Sequence, residues 1–155
     1  MILESLNVHQ FRNYESLNIH FHPKLNIFLG NNAQGKTNLL EAIYVLALAK
    51  SHRTSKDREL MMFDTDESYI NGIVRTSNQS FPLSISISKQ GKRAKVNHLE
   101  VAKLSEFIGI NKFATIISQK YFHYFIKYFL SNSIFKFFHF VYNSLLCVMI
   151  NNKSH

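Results

Sequence analysis

The octapeptide Gly30-Asn31-Asn32-Ala33-Gln34-Gly35-Lys36-Thr37 reads G-x-x-x-x-G-K-[ST], and it constrains this chain more than any other feature. Its context is the one the motif needs. Leu25 to Leu29 is a short apolar run suited to a strand, entered after Pro23. From Thr37 onward, Leu39, Leu40, Ile43, Leu46 and Leu48 recur at helical spacing among good helix formers. Gly30 and Gly35 permit backbone angles and close approaches that a β-carbon would forbid, so successive N–H groups can turn inward around an anion. A helix starting near Lys36 adds the partial positive charge of its N-terminus. Lys36 is then placed for the β- and γ-phosphates of a nucleoside triphosphate, and the Thr37 hydroxyl for Mg²⁺, a hard cation that prefers oxygen.

Elsewhere in the first half, Leu6 and Val8, then Leu17, Ile19 and Phe21, alternate with polar residues and predict two half-buried strands joined through Phe11-Arg12-Asn13-Tyr14. The helix is expected to end near Ser51. Tyr69 to Val74 and Leu83, Ile85 and Ile87 read as further strands, Lys89-Gln90-Gly91-Lys92 as a hairpin turn, and Val101 to Ile108 as a short helix. The expected order is two strands, a strand-loop-helix unit, and another antiparallel group, which places the chain in the α/β class.

Hydrolysis would require a second acid at the metal and a group to orient water. Leu60-Met61-Met62-Phe63-Asp64 imitates a strand ending in such an acid. The clustering of Asp64 with Asp66 and Glu67 favours a loop or helix end with a solvated carboxylate instead. Leu145 to Ile150 is apolar but ends in Asn151. The expectation is therefore nucleotide binding without turnover by this chain alone.

With 155 residues, 46% of them hydrophobic, the chain can bury one real core. Its formal charge of +8 suits an acidic partner such as nucleic acid. Lys89, Lys92, Arg93 and Lys95 cluster around the Gly91 turn, where they could meet DNA phosphates or simply protect an edge strand. The single cysteine, Cys147, rules out an internal disulfide, and the N-terminus does not read as a signal peptide, so a cytoplasmic location is expected. The eight histidines have no metal-ligand spacing, and Mg²⁺ is the one metal expected.

Composition changes in the second half. No acidic residue follows Glu106, and from Phe113 to His155 the chain is dominated by Phe, Tyr, Ile, Asn and Lys without helical or strand periodicity. Codons poor in G and C encode these residue types, so residues 111–155 resemble an AT-rich gene read out of frame. An aromatic-rich buried segment and a membrane segment are the alternatives. The uncharged run Phe137 to Ile150 falls short of the roughly 20 residues that a spanning helix needs.

With Phe11-Arg12-Asn13-Tyr14, GNNAQGKTNLLEAIYVLALAKSHRTSKDREL and GKRAKVNHLE in hand, residues 1 to about 109 resemble the RecF family of bacterial recombinational-repair ATPases. The resemblance implies an incomplete P-loop NTPase head of the ABC type, with a mixed sheet and a P-loop helix, akin to the heads of SMC and Rad50 proteins. It implies ATP held between two heads of a homodimer that clamps single-stranded or gapped DNA, with RecO and RecR as partners, RecA loading as the outcome, and roles in replication, recombination and the SOS response. It also implies that Arg12 and Asn13 lie near the nucleotide and that Arg53 faces phosphate or DNA. The ABC signature, the Walker B acids and the switch histidine have no counterpart in this sequence, and Thr115 to His155 follows no family pattern. A truncated or frameshifted family member is the preferred reading. The alternatives are a remnant without activity and a basic membrane-associated protein.

Overall fold

A computed structural model describes residues 2–23, 25–28, 35–110 and 148–151. The first strand, β1 (Ile2–Phe11), runs antiparallel to β2 (Tyr14–His20), and Leu6 faces Ile19 while Val8 faces Leu17. These are the alternating apolar residues of the sequence. β1 also pairs antiparallel with β4 (Glu67–Arg75), which continues the sheet through β5 (Ser80–Ser88), β6 (Gly91–Val96) and the two-residue β7 (Leu99–Glu100). The strand order is β2-β1-β4-β5-β6-β7, and every described pair is antiparallel. The strand before the phosphate loop, β3 (Leu25–Phe28), pairs instead with β8 (Val148–Asn151), so the aromatic-rich half contributes a strand where periodicity showed none. The rest of the division at residue 110 concerns residues outside those described.

Helix α1 (Lys36–Leu48) lies across one face of the large sheet. Its Leu39, Ala42, Ile43, Val45 and Leu46 join Leu6, Val8, Ile70, Val74, Leu83, Ile85 and Ile87 in a single core. At roughly 25 cal/mol per Å² of apolar surface removed from water, this burial is the main stabilising term. Helix and strand approach closely at Gly72, where an added β-carbon would stand 2.5 Å from Leu46 Cδ2 and 3.1 Å from Leu3 Cδ1.

Helix α1 ends earlier than Ser51, because Ala49 turns into the left-handed region (φ 52°) and bonds back to the Val45 carbonyl. The Ala49 carbonyl accepts a hydrogen bond from Lys92 Nζ at 2.7 Å, and the same ammonium reaches Asp57 at 2.7 Å. The later helix is α2 (Leu104–Ile110), displaced from the expected Val101 start because the Val101 N–H is held by the Ala94 carbonyl at 2.9 Å. Asn97 and His98, both at positive φ, form the tight turn into β7. The Leu60-to-Asp64 segment is not a strand ending in a metal-binding acid. A 3-10 turn (Asp57–Leu60) leads into one isolated bridge at Met61, and Asp64 sits exposed in a turn at φ 62°. Among the described residues, no helix is long and apolar enough to cross a membrane.

Candidate phosphate-binding site

The site is assembled from the β1–β2 turn, the start of α1 and the loop after α1. Arg12 occupies the tip of the turn at φ 55°, a conformation uncommon for a residue with a side chain. Backbone bonds hold it there. The Arg12 N–H donates to the Leu60 carbonyl at 2.9 Å, the Met62 N–H donates to the Gln10 carbonyl at 2.8 Å, and Phe11 bridges Met61.

Gly35 precedes α1 at φ 96°, which favours glycine. A β-carbon there would lie 2.8 Å from the Tyr14 hydroxyl and 3.0 Å from Asn13 Nδ2. The Tyr14 hydroxyl donates to the Gly35 carbonyl at 3.0 Å, and burial raises its pKa so that it stays protonated to do so. The β1–β2 turn therefore clamps the second glycine of the octapeptide. Lys36 follows at the first helical position, largely buried, and Thr37 lies beside it. Among the described residues, the N-terminus of α1 has no side-chain cap and no acidic residue in its first turn, so neither competes with an incoming anion for its positive end. Gly30, Asn31, Asn32, Ala33 and Gln34 lie outside the described residues.

One turn into α1, Glu41 is fully buried and accepts from two arginines. Arg12 grips it in a fork, Nε to Oε2 at 2.9 Å and Nη2 to Oε1 at 2.7 Å. Arg53 Nη1 reaches Oε2 at 3.0 Å and also the Asn38 side-chain oxygen at 2.8 Å. Ser51 Oγ donates to Oε1 at 2.5 Å, and Asn38 Nδ2 donates to Asn13 Oδ1 at 2.7 Å. Burial alone would raise the Glu41 pKa, but hydrogen bonds from Arg12 and Ser51 and the charges of Arg12 and Arg53 outweigh it and hold the carboxyl below its ordinary value. Burial pushes the imidazole of His52, which stacks edge-on against Tyr44, below its ordinary range.

The structure thus brings Arg12, Asn13, Gly35, Lys36 and Arg53 together. Asn38, Glu41, Ser51 and Tyr14 belong to the same network and were not singled out in the sequence. A carboxylate inside the apolar run Leu39-Leu40-Glu41-Ala42-Ile43 was the available signal, because a charge is rarely buried unless it is paired. The lysines around Gly91 do not share a face. Lys92 points inward to cap α1 and is only 9% exposed. Arg93 lies 3.9 Å from Glu100, Lys89 pairs with Asp66 at 2.5 Å, and Lys95 is exposed. A cleft of about 530 Å³ opens beside Arg12, and Arg58 and Lys89 line it together with Asp64 and Asp66. Among the described residues no cluster of three or more His, Cys, Asp or Glu could hold a metal.

The family model for the RecF/RecN/SMC N-terminal domain matches residues 2–112. The chain belongs to this family. It is 57% identical over 109 residues to the DNA replication and repair protein RecF of Latilactobacillus sakei subsp. sakei, covering 70% of this chain and 29% of that protein. The RecF of Listeria monocytogenes is 54% identical over 109 residues, with 70% and 30% covered. Among solved structures, that of the recombination mediator protein RecF with ATP superimposes with a TM-score of 0.66 at 36% identity, covering 69% of this chain and 30% of that one. The SMC head domain from Thermotoga maritima shares the fold, with a TM-score of 0.57 at 15% identity over 71% of this chain and 42% of that one. The chain spans about 30% of the length of these RecF relatives.

Proposed function

We propose that this chain is the nucleotide-binding N-terminal part of a RecF-like DNA replication and repair protein, and that it takes ATP with Mg²⁺. The observation that carries the reading is the clamped Gly35. Its left-handed backbone, pressed against Tyr14 and Asn13, sets Lys36 at the uncapped, acid-free start of α1. That combination suits an oligophosphate better than a structural turn. Gly30 to Thr37 would surround the phosphates, with Lys36 as the point charge and Arg12 and Asn13 at their flank. The Thr37 hydroxyl would hold Mg²⁺, which on binding neutralises phosphate charge. The likeness to RecF solved with ATP supports this assignment.

Glu41, the buried carboxylate on α1, is occupied by two guanidiniums and a hydroxyl, which makes it a poor base for activating water. Binding and orientation are therefore the roles proposed for these residues, without hydrolysis by them. Binding to single-stranded and gapped DNA, support of RecA loading with RecO and RecR, an ATP-dependent homodimer and a cytoplasmic location belong to the same proposal, and family membership supports them. Arg93, Lys95 and Lys89 are exposed cations available to DNA phosphates.

The test is a titration of the purified chain with a fluorescent ATP analogue and Mg²⁺, alongside Lys36→Ala. Saturable binding abolished by the substitution is the expected result. Equal binding by both proteins would overturn the proposal.

A further inference from the structure

Glu41 stands outside the phosphate-binding octapeptide, yet it joins the three segments that meet there. Its contacts run to residue 12 in the β1–β2 turn and to residues 51 and 53 in the loop after α1. Two guanidiniums placed side by side repel each other, and in water they would separate. A single buried carboxylate holds both. Arg12 spends Nε and Nη2 on that carboxylate, which leaves its Nη1 donors outside the pair. Arg53 spends only Nη1, on Glu41 and Asn38, which leaves its Nε and Nη2 donors outside the pair. The trio carries a net charge of +1, with its negative member fully buried and its positive members 18% and 42% exposed. Toward solvent it therefore presents cationic donors in a forked geometry that suits a phosphate group.

The position of this trio is fixed. Glu41 is four residues beyond Thr37, about one helical turn, or roughly 6 Å along the axis. Asn13, adjacent to Arg12, both accepts from Asn38 and touches the space beside Gly35. The paired guanidiniums are thus linked through Asn38 and Asn13 to Gly35 at the start of α1, anchored to the same helix.

We propose that Glu41 is a positioning residue that sets Arg12 and Arg53 together as a seat for the terminal phosphate of a nucleoside triphosphate, so that the site distinguishes triphosphate from diphosphate. This rests on the nucleotide-binding reading above. Lys36 and the loop serve every phosphate of the chain. The arginine pair adds donors for one phosphate in particular.

The experiment compares Mg·ATP and Mg·ADP affinities for the full chain, for Glu41→Gln and for Arg53→Ala, with the melting temperature of each protein recorded. Glu41→Gln keeps the shape and removes the charge, and it is expected to lower the ATP-to-ADP affinity ratio at least fivefold. Arg53→Ala is expected to act in the same direction, and Arg53→Lys, which keeps the charge without the fork, to fall between. A purely structural Glu41 would change the melting temperature, or weaken both nucleotides equally, and leave the ratio unmoved. That result overturns the inference. So does an unchanged ratio accompanied by weaker binding to a DNA oligonucleotide, which would give the arginine pair to nucleic acid.

Should Glu41→Gln fail to fold, the partly exposed Arg53 carries the test, and an unchanged ratio in Arg53→Ala is decisive against the proposal. If the wild-type chain shows no Lys36-dependent binding of Mg·ATP, the nucleotide reading falls and the inference with it. Lys36-dependent binding with an unchanged ratio sinks the inference alone.

Discussion

Replacing Gly72 with alanine tests whether α1 lies on the sheet in the register described. The new methyl carbon would stand 2.5 Å from Leu46 Cδ2, 3.1 Å from Leu3 Cδ1 and 3.2 Å from the Ser5 carbonyl oxygen. Carbon atoms in contact prefer about 3.5–4.0 Å, so Leu46 has to retreat by roughly 1 Å or change rotamer. Leu46 is fully buried and its neighbours are close-packed, so the strain spreads through the core at about 1–3 kcal/mol. Loss of glycine's freedom in the unfolded chain returns about 0.4–1 kcal/mol. The net expectation is a loss of ~1–2 kcal/mol, read as a melting temperature lower by roughly 5–15 °C for a folded unit of this size. A second variant separates steric conflict from other causes. Leu46→Ala alone should cost about 2–5 kcal/mol through the cavity it leaves. In the double variant the methyl group added at position 72 partly fills that cavity, so the combined loss should be smaller than the sum by ~1 kcal/mol or more. Thermal or urea unfolding followed by circular dichroism gives all three values. A neutral Gly72→Ala, or strict additivity, would mean that α1 does not cross β4 at Leu46.

Three further expectations concern the site and its supports. Lys92→Met removes the ammonium from the Ala49 carbonyl and from Asp57 and should cost about 1–2 kcal/mol, whereas Lys95→Ala should stay within about 0.5 kcal/mol; equal effects in urea unfolding would deny Lys92 its capping role. Gly35→Ala meets both the left-handed backbone and the Tyr14 hydroxyl, so it should abolish binding of the fluorescent nucleotide; retained affinity would show that the clamp is not needed. Both the Glu41 carboxyl and the His52 imidazole have folded-state pKa values below their ordinary 4.5 and 6.5, so the stability each contributes is present above those values and lost as pH falls through the folded ones. Unfolding measured from pH 7 to pH 3 should show stability declining with acid, less steeply in Glu41→Gln; a flat profile would contradict the buried ion-pair network.

Much of the fold was legible because its signals are local. The alternation of Leu6, Val8, Leu17 and Ile19 gave the first hairpin, and the spacing of Leu39, Ile43 and Leu46 gave the buried side of α1. Gly35 announced its conformation within the octapeptide. The Glu41 network was not legible because its partners lie 29 and 12 residues away and meet only after the sheet brings the β1–β2 turn to the helix. Lys92 was a missed local signal. It shares the period-two face of Ala94 and Val96, opposite Arg93 and Lys95, so alternation alone separates it from the two outward cations. The short strand β7 was also hidden, since Asn97-His98 forms a tight turn without glycine, through two residues that tolerate positive φ.

The charge distribution ties these observations together. Arg12 and Arg53 converge on Glu41, the one acidic member of the described network, and Lys36 opens the same helix. Burying one carboxylate beneath two partly exposed cations is a poor way to stabilise a fold, because desolvation of the carboxylate offsets much of the attraction and a net positive charge remains. Apolar residues of similar size would serve stability as well. The arrangement makes physical sense if a polyanion completes it: the buried carboxylate then fixes geometry, and the excess positive charge becomes binding energy when phosphates arrive. By the same reasoning, the partners of Glu41 span the turn before the phosphate loop and the loop after α1, so the octapeptide alone does not define the site. On the proposed reading, the sheet that positions Arg12 and the turn that positions Arg53 are as much a part of it as Lys36.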